Sequence, residues 1–122
     1  MSEFDPNIPI YIQIMNGIKQ DIVSGKVSPG DRLSSVRELA EALSVNPNTV
    51  QRVYQELERE GISETRRGTG TYILENPELI PRLKAEMAKS VLRKFIDGMR
   101  SLGLSNREIA SAIDREIAGG TN

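Results

Sequence analysis

Asn48, Thr49, Gln51, Arg52 and Gln55 form a run of hydrogen-bonding side chains, and no carboxylate occurs from Ala42 to Gln55. Asn and Gln can pair bidentately with adenine, Arg can do so with guanine, and Thr can reach a base or a phosphate. A second group, Arg66-Arg67-Gly68-Thr69-Gly70, joins two cations to glycines that permit a tight turn and a close approach to a phosphate or minor groove. The chemistry on offer is therefore recognition by hydrogen bonds. Catalysis has little to work with. The chain has no histidine, hence no imidazole base or ligand, and no cysteine, hence no disulfide or thiolate metal site. Glu56 and Glu60 share a helical face but stand in a run of surface charge. Gly-Thr-Gly is too short to be a phosphate-binding loop, which needs G-x-x-x-x-G-K-[ST] between strand and helix. An ordinary solvated turn is the alternative reading of that tip.

The elements that must carry these groups are marked by local signals. Ser35 and Glu38 form S-x-x-E, a capping box, and Val36, Leu39, Ala40 and Leu43 follow at helical spacing. The helix breaks at Ser44-Val45. Asn46 can cap a second helix with Pro47 in its first position, and Val50, Val53, Tyr54 and Leu57 give it one apolar stripe. Gly61 is a left-handed stop, with Ile62 able to close the cap by a hydrophobic contact. Two helices with a short turn, the second presenting a polar face, predict a helix-turn-helix.

Upstream, Met1–Ile8 reads as a loose arm, and Tyr11, Ile14, Met15, Ile18 and Ile22 place a first helix over Ile10–Ser24, ending at Gly25. Tyr11 and Tyr54 are read as core residues. Asp31-Arg32-Leu33 has room for one short strand, while Ile62–Thr65 and Thr71–Leu74 make a hairpin. The order helix, strand, helix, helix, hairpin is that of a winged helix. The fold class is mainly α with a small β-hairpin: a winged helix-turn-helix domain over residues 1–75, then a two-helix dimerisation tail over 76–122.

In the tail, Asn76-Pro77 opens a long helix expected to reach Leu102, stopped by Gly103, and Ser105 with Glu108 opens a last one. The long helix carries Leu79, Leu83 and Met87, then Val91, Leu92, Phe95, Ile96, Met99 and Leu102. That stripe drifts around the axis, so its two halves face different partners. One is the winged domain. The other, with Ile109 and Ile113 of the last helix, is expected to be buried against a second copy of the chain.

Pro29 to Gly61 (PGDRLSSVRELAEALSVNPNTVQRVYQELEREG), followed by Arg66 to Ile73 (RRGTGTYI), resembles the winged-helix domain of GntR-family bacterial transcription regulators. The likeness runs from about Pro9 to Leu74, and the N-P-N-T-V-Q segment and short tail are similar to the YtrA-like subfamily. The resemblance implies a dimeric, sequence-specific regulator, a repressor in the first instance, acting on a pseudo-palindromic operator in double-stranded DNA, with transporter genes as one target class. It implies that Ser35, Arg37, Asn46, Asn48, Thr49, Gln51 and Arg52 face DNA, with Arg66, Arg67, Gly68 and Thr69 at the wing. Arg32 could reach the backbone or be an ordinary surface residue. For Arg37 the alternative is an i, i+4 pair with Glu41. Larger relatives carry C-terminal metabolite-binding domains, some using metal-bound histidines; Asn76–Asn122 is too short for one. No cofactor is implied, and any small-molecule effector is unidentified.

Charge sets the competing reading. The chain has 16 basic and 17 acidic residues, and Met1–Glu75 holds 8 basic against 11 acidic, a net of −3. A generic nucleic-acid binder would be basic, so a winged module that docks on proteins is the alternative function. Against it, Glu56, Glu58 and Glu60 cluster late in the second helix, and Arg66 and Arg67 have no adjacent acid. Helix amino ends add partial positive charge and free amides for phosphate. Nothing resembles a signal peptide, and no apolar run approaches the roughly 18 residues of a membrane span, so a cytoplasmic protein without membrane contact is expected.

Overall fold

The computed structural model describes residues 4–120. Five helices and one hairpin follow in chain order: α1 (Ile10–Val23), α2 (Val36–Leu43), α3 (Pro47–Arg59), β1 (Ser63–Arg66), β2 (Gly70–Ile73), α4 (Leu79–Ser101) and α5 (Asn106–Gly119). They divide into two compact units, the first ending at Leu83 and the second beginning at Lys84. This is the expected mainly helical winged helix with C-terminal helices.

In the first unit the apolar stripes of α1 and α3 meet. Ile14, Met15 and Ile22 of α1 and Val50, Val53, Tyr54 and Leu57 of α3 are buried together with Ala40, Ile62 and Ile73. Leu79 and Leu83 join the same core, so packing continues past the hairpin into α4, and the boundary falls eight residues beyond Glu75. Arg82 adds a polar tie, donating to the carbonyl of Glu60 at 3.1 Å and so capping the end of α3.

The local stops and starts explain these bounds. Ser35 Oγ accepts from the Glu38 amide at 3.1 Å while the Glu38 carboxylate accepts from the Ser35 amide at 3.0 Å, the full reciprocal box. α2 ends on Ser44 in the left-handed region (φ 56), with the Val45 amide bonded back to Ala40. Asn46 Oδ1 then accepts from the Asn48 amide at 2.8 Å and Pro47 opens α3. At the far end Gly61 takes φ 76, and the Ile62 amide returns to Leu57 at 2.9 Å with Ile62 fully buried.

Three expectations need correction. The arm is not loose where it is described: the Gln13 amide nitrogen donates to the carbonyls of Asp5 and Ile8, and its oxygen accepts from the Asp5 amide, each at 2.8 Å. Phe4 packs against the core, whereas Met1–Glu3 lie outside the described residues. Asp31–Leu33 does not form a strand of its own. Arg32 alone bridges Tyr72, because the four residues between the turn at Gly30 and the Ser35 cap of α2 leave space for one ladder position. The long helix starts at Leu79, after a turn in which Asn76 Oδ1 accepts from the Glu78 amide at 3.0 Å.

In the second unit, the rest of α4 turns at Gly103 (φ 86) into α5, which Ser105 and Glu108 open with a second complete capping box. Arg100 donates to the Asn106 side chain at 3.0 Å across this corner. Among the described apolar residues of this unit only Ile109 is buried, at 4% exposure. Ile96, Met99 and Ile113 are half-buried. Val91, Leu92, Phe95, Leu102 and Ile117 stand in solvent.

Candidate nucleic-acid interface

The polar run on α3 is held at its start by the Asn46 cap, which fixes where the helix begins and leaves Asn48, Gln51, Arg52 and Gln55 exposed; Thr49 is half-buried. The opposite stripe is fully engaged: Val50, Val53 and Leu57 are inaccessible to solvent. Tyr54 fixes the rotation of the helix, because its hydroxyl donates to the Ser34 carbonyl at 2.6 Å. Burial, reinforced by the charge of Glu38, pushes the Tyr54 phenol up to about 12.

The acids of α3 turn out to be occupied. Glu56 pairs with Arg59, Glu58 accepts from Thr65 Oγ1 at 2.8 Å, and Glu60 pairs with Lys19 at 3.0 Å. All three serve the carboxyl end of the helix, tying it to itself, to β1 and to α1. Negative charge is thus spent at one end, and at the other Arg52 stands, among the described residues, without an opposing carboxylate near the positive end of the helix dipole.

Tyr11 departs from the sequence expectation. Tyr54 is core, but Tyr11 is only half-buried, and the guanidinium of Arg52 lies 3.6 Å from its ring centre. Together with Ile10, Asn48 and Thr49 these two residues line a shallow recess. No sequence signal pointed to this, since the contact comes from the packing of α1 on α3 and not from spacing within either helix.

At the wing, β1 and β2 pair antiparallel with Glu64 opposite Tyr72 and Arg66 opposite Gly70. The Thr69 amide and hydroxyl both donate to the Arg66 carbonyl, at 3.0 and 3.2 Å, so the Thr69 side chain helps hold the turn. Arg67, Gly68 and Thr69 are exposed. Arg66 is not the unpaired cation the sequence suggested. It binds Glu64 at 3.0 Å and lies 4.1 Å from the Tyr72 ring centre. Residues two apart on a strand share a face, so the period of β1 carried that information. Arg32 lies along the same hairpin: a Cβ at Gly70 would sit 2.7 Å from Arg32 Nε, a contact the flexible arginine could yield, whereas φ 130 is the conformation that favours glycine there.

The structure therefore gathers Asn48, Thr49 and Arg52 in one group and Arg32 and Arg66 in another. Arg37 belongs to neither by any direct contact. It is exposed and, among the described residues, makes no ion pair with Glu41. Ser35 and Asn46 spend a side-chain oxygen on their caps. Among the described residues no cluster of acidic side chains is arranged to hold a metal ion.

The family model for bacterial regulatory proteins of the gntR family matches residues 10–73, the span from the start of α1 to the end of β2. The chain belongs to the GntR family. Its similarity extends beyond the winged domain: the HTH-type transcriptional regulator YhcF of Bacillus subtilis is 44% identical over 119 residues, 98% of each chain. The HTH-type transcriptional repressor YtrA of the same organism is 41% identical over 126 residues, covering 98% of this chain and 97% of that protein. Among solved structures, a GntR family transcriptional regulator from Listeria monocytogenes superposes with a TM-score of 0.82 at 44% identity, over 92% of this chain and 98% of that one. The protein is a DNA-binding transcription regulator of this family, which is one of regulators and not of enzymes. No helix among the described residues is long and apolar enough to cross a membrane.

Proposed function

We propose that the protein is a dimeric repressor that reads an operator in double-stranded DNA with the amino half of α3. The observation that carries this reading is the division of labour along α3. Its carboxylates are engaged at the far end, while Asn48, Gln51 and Arg52 are exposed beside a capped helix start. Such a surface suits the major groove, where Asn or Gln pairs with adenine and Arg with guanine. Arg37, Ser35, Asn46 and Thr49 add contacts to bases or phosphates next to it. Arg67, Gly68 and Thr69 meet minor groove or backbone at the wing, with Arg32 adding charge beside the hairpin and Arg66 flanking the turn in its pair with Glu64.

Dimerisation uses the second unit. Val91 and Leu102 are 68% and 75% exposed, and with Leu92 and Phe95 they make more apolar surface than a soluble helix pair keeps open. Ile96, Met99 and Ile113 lie half-buried at the edge of that surface, while Ile109 serves packing within its own chain. A twofold dimer would place two recognition helices on half-sites about one helical turn apart, or a multiple of it, and so require a pseudo-palindrome. Occupying a promoter in this way excludes polymerase. The repressor assignment is supported by the naming of the YtrA relative.

The test is recovery of DNA by the purified protein from a pool of genomic fragments, followed by mobility shifts over a salt series. The expected result is enrichment of a few promoter fragments sharing a pseudo-palindrome, with binding that weakens as salt rises. No enriched fragment and no duplex binding at low salt would overturn the proposal in favour of a protein-docking module.

A further inference from the structure

Arg52 and Tyr11 come from different helices, and the 3.6 Å between guanidinium carbon and ring centre leaves no room for anything between them. At that separation the planar cation lies against the ring face, held by the ring's negative quadrupole. Two further observations set this pair apart from a casual surface contact. Tyr11 packs against the hydrophobic core, so the interior fixes its ring independently of Arg52. Among the described residues no ion pair involves Arg52, whereas Lys19, Arg59 and Arg66 are each claimed by a carboxylate. The ring is therefore the platform that the structure provides for this cation, and the recess around it is completed by Ile10, Asn48 and Thr49.

We infer that Tyr11 is a specificity-determining positioning residue: its ring holds the Arg52 guanidinium in one plane before DNA arrives, and discrimination at the base pair read by Arg52 depends on that ring. This rests on the reading of Arg52 as a base contact given above. The physical reason lies in the geometry of guanine recognition. Two parallel donors of the guanidinium must meet O6 and N7 together. A long side chain free in solvent loses rotamer freedom in doing so and can settle on phosphates instead, which carry no sequence information. A ring that stacks the cation removes part of that cost and restricts its plane. The ring face is what matters; the Tyr11 hydroxyl plays no part.

The experiment uses the full chain and an operator recovered from the genomic pool, together with duplexes carrying each single base-pair change in one half-site. Affinities are compared for the native protein, Arg52→Ala, Tyr11→Phe, Tyr11→Leu and the double variant Tyr11→Leu/Arg52→Ala. Arg52→Ala is expected to lose roughly tenfold to hundredfold discrimination at one base pair. Tyr11→Leu should lose a large part of the same discrimination at the same base pair, Tyr11→Phe should keep it, and the double variant should be no worse than Arg52→Ala. A second measurement needs no variant. The Arg52 side-chain protons should be shifted upfield by the ring current in the free protein, and the shift should persist on the operator.

Retained discrimination in Tyr11→Leu, equal loss in Tyr11→Phe, additive losses, or a ring-current shift that vanishes on binding would each overturn the assignment to Tyr11. If Arg52→Ala leaves every base preference intact, the reading of Arg52 falls, and the role of Tyr11 falls with it. Loss in Tyr11→Leu beside loss in Arg52→Ala at a different base pair refutes the positioning role alone.

Discussion

The hydroxyl of Tyr54 donates a 2.6 Å hydrogen bond to the carbonyl of Ser34, the residue just before the capping box of α2. One bond thus ties α3 to the start of α2. Removing it in Tyr54→Phe should cost about 1 kcal/mol, the usual net worth of such a bond, read as a lower midpoint in urea. The folded phenol titrates at about 12 against an ordinary 10.0. Its raised value means a contribution fully present below 10.0 and lost as pH rises toward about 12. Phenolate absorbance should therefore show Tyr54 titrating well above the ordinary 10.0, and an ordinary midpoint for Tyr54 would contradict its burial.

Glu38 works in the opposite pH range. Its carboxylate accepts from the Ser35 amide, chiefly through that bond and then through the Ser35 hydroxyl and Arg32, and its pKa is lowered from 4.5. A lowered value stabilises the fold above 4.5, and the contribution is lost as pH falls through the folded value. A carbon-detected titration should find the Glu38 midpoint below the ordinary 4.5. A midpoint at or above 4.5 would show that the capping box is open in solution.

Ser63 is 1% exposed, and its hydroxyl has no hydrogen-bond partner among the described residues. An unmet buried hydroxyl costs roughly 1–3 kcal/mol. Ser63→Ala should therefore leave stability unchanged or raise it by about 1 kcal/mol. A loss larger than about 1 kcal/mol in chemical denaturation would mean that the hydroxyl has a partner.

Phe95 stands 40% exposed among the open apolar residues of α4. If a second copy covers them, Phe95→Glu buries a charge at the interface and should give a monomer. Sedimentation equilibrium should then report a mass near 13.5 kDa in place of twice that value, with an unchanged helical spectrum. A native protein that is already monomeric at micromolar concentration would remove the dimer from the mechanism.

These features were legible in the sequence to different degrees, and locality explains the difference. The two capping boxes, the Asn46 cap and the Gly61–Ile62 stop depend on residues a few positions apart, and each formed where its motif stood. The Arg66–Glu64 pair was also within reach, since strand period puts both on one face. Three features needed the tertiary structure. Gln13 reaches back to Asp5, the late acids of α3 find partners on α1 and β1, and Tyr11 meets Arg52 only because α1 packs on α3. The negative count of residues 1–75 misled for the same reason. Composition records how many acids there are, whereas recognition depends on where they are engaged.

The central claim is that the amino half of α3 reads bases while the wing binds backbone. It is tested most directly by the affinity ratio of operator to scrambled duplex, measured over a salt series for the native protein, Arg52→Ala and Arg67→Ala. Arg52→Ala should lower the ratio roughly tenfold to hundredfold with the salt slope retained. Arg67→Ala should weaken both duplexes evenly and reduce the slope of log K against log salt by about 1. An unchanged ratio in Arg52→Ala, together with an unchanged slope in Arg67→Ala, would contradict the assignment of both surfaces.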